Sequence, residues 1–142
     1  MSTTTITAPT TAAATAATPS RSLRRDTVVV GLAAAAITAA AAAALHAAGV
    51  SFAVDGEMVP AVACAQMTFL GAVIGGLMVA GLNRRSAAPH RRFLEATAAL
   101  VAITCVPSIA LPDDVGSKIS LVALHLLAAA IIVPVLARHA ND

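Results

Sequence analysis

The stretch ISLVALHLLAAAIIVPVLA, residues 119–137, holds no Asp, Glu, Lys or Arg and is closed by Arg138. A helix at the surface of a soluble globule keeps a charged face toward water, whereas this run is apolar all round. About 20 residues rising about 1.5 Å each cross a hydrocarbon core roughly 30 Å thick. In hydrocarbon every backbone N–H and C=O has to be bonded inside the segment, so the run reads as a membrane-spanning α-helix.

Working outward, the same pattern recurs upstream. No Asp, Glu, Lys or Arg lies between Asp26 and Asp55, between Glu57 and Arg84, or between Glu95 and Asp113. These gaps predict further spans over residues 27–49, 60–82 and 93–111, the first depending most heavily on Ala for its apolar character. The whole chain of 142 residues is 58% apolar and 11% charged with a mean hydropathy of +0.86, whereas soluble domains carry about 25% charged residues. The expected fold is all-α, an integral membrane four-helix bundle with up-down-up-down topology occupying residues 25–138.

The charges outside the spans set the orientation. Arg21, Arg24 and Arg25 precede the first span, Arg84, Arg85, Arg91 and Arg92 fill the second connection, and Arg138 follows the last span. The other two connections hold Asp55, Glu57, Asp113, Asp114 and the one lysine, Lys118. The positive-inside rule then places both ends and the middle connection in the cytoplasm, N-in and C-in, in the cytoplasmic membrane. The arginines sit at span ends with no aromatic residues interleaved, so the basic charge points to the lipid bilayer as partner and not to nucleic acid.

Residues 1 to about 20 are rich in Thr, Ala, Ser and Pro and lack bulky core residues, which predicts a disordered cytoplasmic tail, taken as residues 1–24 up to the start of the four-span domain. A secretory signal over residues 21–53 would need an apolar stretch of about 7 to 15 residues, and the one present is longer and followed by three more spans. Asp55-Gly56 marks a turn, and Pro60 suits a first helical turn, where its missing N–H costs nothing. The short connection 112–118 predicts that the last two spans form an antiparallel hairpin. Pro107 and Pro134 lie near span ends and read as helix terminators or packing kinks.

The second span carries Gly71, Gly75 and Gly76, a small-residue pattern that lets backbones approach where no hydrophobic effect drives association. The first span offers Gly31, Ala35, Ala39, Ala43 and Ala47 at the matching spacing of four, so these two helices are expected to pack closely. The same glycines suit contact with a second copy or with another membrane protein.

Four side chains with ligand chemistry, His46, Cys64, Cys105 and His125, fall at similar depth near the outer boundary, one per span. Two thiolates and two imidazoles would suit Zn or Cu, and Cys64 and Cys105 alone a disulfide or redox pair. No short spacing motif joins them, and the default reading is inert packing with no metal and no cofactor. His125 is the intramembrane polar residue of most interest, because a buried imidazole needs a partner; Gln66, Thr68, Thr104, Ser108 and Ser120 lie at compatible depth. With these partners it could serve a small-solute or proton-linked transporter or channel subunit. Glu95 can pair with Arg91 or Arg92 at helical spacing.

Leu121 to Arg138, with His125 early, Pro134 late and a basic residue after it, resembles the closing segment of an uncharacterised family of small actinobacterial four-span membrane proteins. Arg91-Arg92-Phe93 and Pro107-Ser108 share the resemblance, which covers about residues 25–138. It implies the four-span topology and no chemistry. The chain has no GxSxG, HExxH, P-loop or GxGxxG pattern, so no enzyme activity is expected. The leading expectation is a structural or interaction protein of the membrane.

Overall fold

The computed structural model describes residues 21–54, 56–112 and 114–141. Over them the chain forms α1 (Arg21–Ala47), the short strands β1 (Ala53–Val54) and β2 (Glu57–Met58), then α2 (Ala61–Arg85), α3 (Pro89–Ala110) and α4 (Val115–Ala137). The helices have 27, 25, 22 and 23 residues, which at about 1.5 Å per residue makes them about 33 to 40 Å long. Each is long and apolar enough to cross a membrane.

The helices overrun the apolar runs that announced them. Arg21 to Arg24, expected to end a disordered tail, form the first turn of α1; α3 starts at Pro89 instead of 93 and α4 at Val115 instead of 119. Arginine is a good helix former, and a helix longer than the hydrocarbon carries its ends into the headgroup layer. Pro89 takes the first helical position, where its fixed φ favours the helix. The rest of the expected tail, residues 1–20, and Asp55 and Asp113 lie outside the described residues.

At the other end of α1 the chain stops the helix with a left-handed residue. Gly49 has φ of +97°, its N–H bonds to the His46 carbonyl, and the Val50 N–H reaches back to the Leu45 carbonyl, both at 3.0 Å. That is the Schellman arrangement, and Leu45 and Val50 complete it by packing on the same apolar cluster. Gly56, at φ of +81°, supplies the turn between β1 and β2.

α1 packs along α2 and on α4, while α3 leans mainly on α4. The α1–α2 seam leaves no room for a side chain at its glycines. A methyl group at Gly76 would sit 2.5 Å from Thr27 Oγ1, and one at Gly31 would sit 3.0 Å from Ala72 Cβ. Gly75 is used differently, since a methyl there would meet Leu136 Cδ1 of α4 at 2.8 Å. Gly71 takes no part in the packing between the described helices: a methyl group there would meet nothing within 4 Å, and the residue lies on the exposed side of α2.

Two apolar clusters stack along the bundle. The one at the arginine-bearing end, labelled inner for that charge alone and the opposite end outer, gathers Leu23, Val79, Phe93, Leu136 and Ala137 from all four helices, together with Ala34 and Ala72 of the seam. The outer one gathers Ala42, Phe52 and Leu124, with Leu45, Cys64 and Leu121 against them.

The seam gives a test with opposite signs. Gly76→Ala is expected to lower stability by about 1 to 3 kcal/mol through overpacking. Gly71→Ala should be neutral or stabilise by up to about 1 kcal/mol, from helix propensity alone. Adding Thr27→Ala to Gly76→Ala should recover part of the loss. Helicity followed through a denaturing-detergent titration reads all three.

Candidate functional site

Five hydroxyls inside the spans are bonded to their own helices. Thr27 Oγ1 donates to the Leu23 carbonyl and Thr38 Oγ1 to the Ala34 carbonyl, each at 2.7 Å. Thr68 Oγ1 donates to the Cys64 carbonyl at 2.8 Å, Thr104 Oγ1 to Leu100 at 2.8 Å, and Ser108 Oγ to Thr104 at 3.3 Å. A hydroxyl four residues after a carbonyl satisfies itself this way and needs no other helix. Among the described residues Thr97 Oγ1, on α3, is the buried side-chain oxygen without a partner.

This corrects the expected set around His125. The imidazole is half-buried, but among the described residues neither Gln66 nor any of the four hydroxyls of Thr68, Thr104, Ser108 and Ser120 bonds to it. Gln66 lies on the exposed side of α2. The shared layer of His46, Cys64, Cys105 and His125 is likewise not a shared site. His46 is exposed at the end of α1 and donates from Nδ1 to the Val50 carbonyl at 3.1 Å. Cys64 and Cys105 are both free thiols, and Cys64 is packed in the outer apolar cluster. Among the described residues no three His, Cys, Asp or Glu side chains converge to hold a metal ion. Similar depth fixed the height of the four residues and left their azimuth open.

What the fold does bring together lies at its two ends. At the outer end Asp114 is the N-cap of α4: its Oδ1 accepts from the Ser117 N–H at 2.8 Å. Its Oδ2 accepts from Ser117 Oγ at 2.6 Å and from Ser51 Oγ, in the connection after α1, at 2.7 Å. Ser117, which is 0% exposed, also accepts the Phe52 N–H at 2.9 Å. Val54 adds a β-bridge to Pro112. These bonds hold Phe52, buried at 3% exposure, in a left-handed backbone of φ +50° that a bulky side chain seldom adopts.

At the inner end the residues after α4 bind α1 and α2, and the last residue of α4 binds α3. His139 Nε2 donates to Asp26 Oδ2 of α1 at 3.0 Å, and Asn83 Nδ2 of α2 donates to the His139 carbonyl at 2.7 Å. The Asn141 N–H returns to Asn83 Oδ1 at 3.2 Å, and His90 Nδ1 of α3 donates to the Ala137 carbonyl at 3.1 Å. Glu95 pairs with Arg91 at 2.8 Å, as its spacing suggested, with both side chains largely exposed. Sequence reasoning found neither latch. Asp26 was the one signal available, a lone carboxylate among arginines at that end of the chain.

A profile of a family of unknown function, DUF6069, matches residues 10–142. The chain belongs to this family. No curated protein and no solved structure matches it. Membership in DUF6069 therefore adds no chemistry to what the geometry shows, and both latches of this DUF6069 chain are hydrogen-bonded clamps between connections and helix ends.

The outer latch depends on charge. The Ser117 hydroxyl, then the Ser51 hydroxyl and the Ser117 N–H, hold the Asp114 carboxyl down to about 2 from an ordinary 3.8. The bonded form is the carboxylate, so its contribution is whole above pH 3.8 and is lost as the pH falls toward about 2. Ser117→Ala removes both the cap's main support and the acceptor for Phe52. The Phe52 amide should then exchange with solvent roughly five to ten times faster at neutral pH, as one lost hydrogen bond of about 1 kcal/mol requires. In the unsubstituted chain the same loosening should appear only in the acid range, after correction for the intrinsic rate.

Proposed function

We propose that this DUF6069 chain is a non-enzymatic structural or interaction protein of the cytoplasmic membrane. It crosses the bilayer four times, up-down-up-down, with both ends and the α2–α3 connection in the cytoplasm. The charge distribution supports that orientation: all eight arginines flank one end of the bundle, and four of the seven carboxylates sit in the two opposite connections. The likeness of residues 91–93, 107–108 and 121–138 to small actinobacterial four-span proteins supports the same topology.

The observation that carries the interaction reading is the exposure of α3. Its described buried residues are Pro89 and Phe93, both in its first turns. Beyond them Leu94, Leu100, Ile103, Val106 and Ile109 are exposed, and only a narrow stripe meets α4. α1, α2 and α4 bury one face each, so the bundle is three well-packed helices with a fourth laid along them. A helix so little used by its own fold is free to meet a second copy, another membrane protein or lipid. Its hydroxyls at Thr104 and Ser108 are already bonded to its own backbone, which leaves it a smooth apolar surface.

Purification in mild detergent tests this reading. The expected result is a defined oligomer, or a component that copurifies in fixed ratio and is lost when Ile103 and Ile109 are replaced by Trp. A strict monomer that carries nothing with it, lipid included, would contradict it.

A further inference from the structure

The inner end of the bundle carries more positive charge than the fold uses. Leu23, Phe93 and Ala137, from α1, α3 and α4, are buried in one apolar cluster at that end. Arg24, Arg92 and Arg138 are their immediate neighbours in the chain, and all three are exposed. Arg84 and Arg85, also exposed, end α2 one residue after Asn83, whose side chain is bonded to the His139 carbonyl. The five arginines thus lie at one end of the four helices: Arg24 in the first turn of α1, Arg84 and Arg85 in the last turn of α2, Arg92 in the first turn of α3 and Arg138 directly after α4.

None of the five has an ion pair among the described residues. The described carboxylates at this end are both engaged, Asp26 by His139 and Glu95 by Arg91. Residues 1–20 contain no acid, and the remaining acid of this end, Asp142, lies outside the described residues. The base is always arginine, and the one lysine of the chain lies at the opposite end. Positive-inside placement would be served equally by lysine. A planar guanidinium instead offers paired donors that match a phosphate, and it is more weakly hydrated than an ammonium.

We propose that this arginine-bearing end is a headgroup site for anionic phospholipid, centred on the α2–α3 connection, with Arg84, Arg85 and Arg92 holding the phosphate. The apolar sides of α2 and α3 below these arginines take the acyl chains. The proposal rests on the reading of the chain as a membrane protein, and it names the bilayer component that the exposed surface meets.

Native mass spectrometry of the full chain in mild non-ionic detergent, titrated with phosphatidylglycerol or with phosphatidylcholine, tests it. Phosphatidylglycerol should bind at least about tenfold more tightly, since each arginine near an anionic surface adds attraction. The variant Arg84→Gln/Arg85→Gln/Arg92→Gln should lose that preference while its helicity and melting stay unchanged, because the three side chains are exposed. Millimolar inorganic phosphate should not displace the lipid. Equal binding of the two lipids, a preference unaltered in the triple variant, or displacement by inorganic phosphate would each overturn the proposal. A chain that leaves the membrane fraction without detergent would instead sink the membrane reading, a separate outcome.

Discussion

Gly76 and Thr27 touch where two helices have no hydrophobic reason to meet. Between spans in hydrocarbon, association rests on van der Waals contact and hydrogen bonding, and both fall steeply with distance. The glycine lets the α2 backbone come against Thr27, whose hydroxyl is already turned back to the Leu23 carbonyl and so presents no unmet polar group. Gly31 against Ala72 extends the contact by a turn, and Gly75 admits Leu136 from α4. The remaining packing follows from this seam: α4 lies against the α1–α2 pair, and α3 reaches the bundle chiefly through α4.

Contacts of that kind fix distance and fix little else, because Ala-rich faces can slide. The two ends supply what the seam lacks. Ser51, Asp114 and Ser117 join connections that are 63 residues apart in sequence, and Asp26, Asn83 and His139 join α1, α2 and the segment after α4. Polar groups thus occur in two roles. Inside the spans the hydroxyls of Thr27, Thr38, Thr68, Thr104 and Ser108 bond within their own helix; at the ends Ser51, Asn83, Asp114, Ser117 and His139 bond between elements and set the register.

The four helices were legible because a charge-free gap of about 20 residues has few other readings. The α1–α2 seam was legible in part, since Gly31 and Gly76 lie in it while Ala43 and Ala47 of the same stripe are exposed, and the Glu95 pair was legible from helical spacing. The helix ends were less so: Arg21 to Arg24 and Val115 to Lys118 are helical although they are not apolar, and hydropathy marks hydrocarbon, not helix. Rotation was not legible at all. Gly71 and Gly75 look alike in sequence, yet one faces away from the bundle and the other faces Leu136. For the same reason His46, Cys64, Cys105 and His125 shared a depth without sharing a site. The latches join residues far apart in the chain, and no local pattern announces Ser51 or His139.

The charges divide along the axis as the polar roles do, with arginines and the His139 latch at one end and the Asp114 latch at the other. Four crossings, both ends inside, is the claim on which orientation, surface and lipid site all depend. Single-cysteine labelling tests it most directly, in a chain with Cys64 and Cys105 replaced by Ala and one cysteine introduced at Glu57, Ser86 or Gly116. An impermeant thiol reagent applied to intact cells should label the Glu57 and Gly116 positions at once and Ser86 only after permeabilisation. Labelling of Ser86 in intact cells, or equal labelling of all three, would contradict the account.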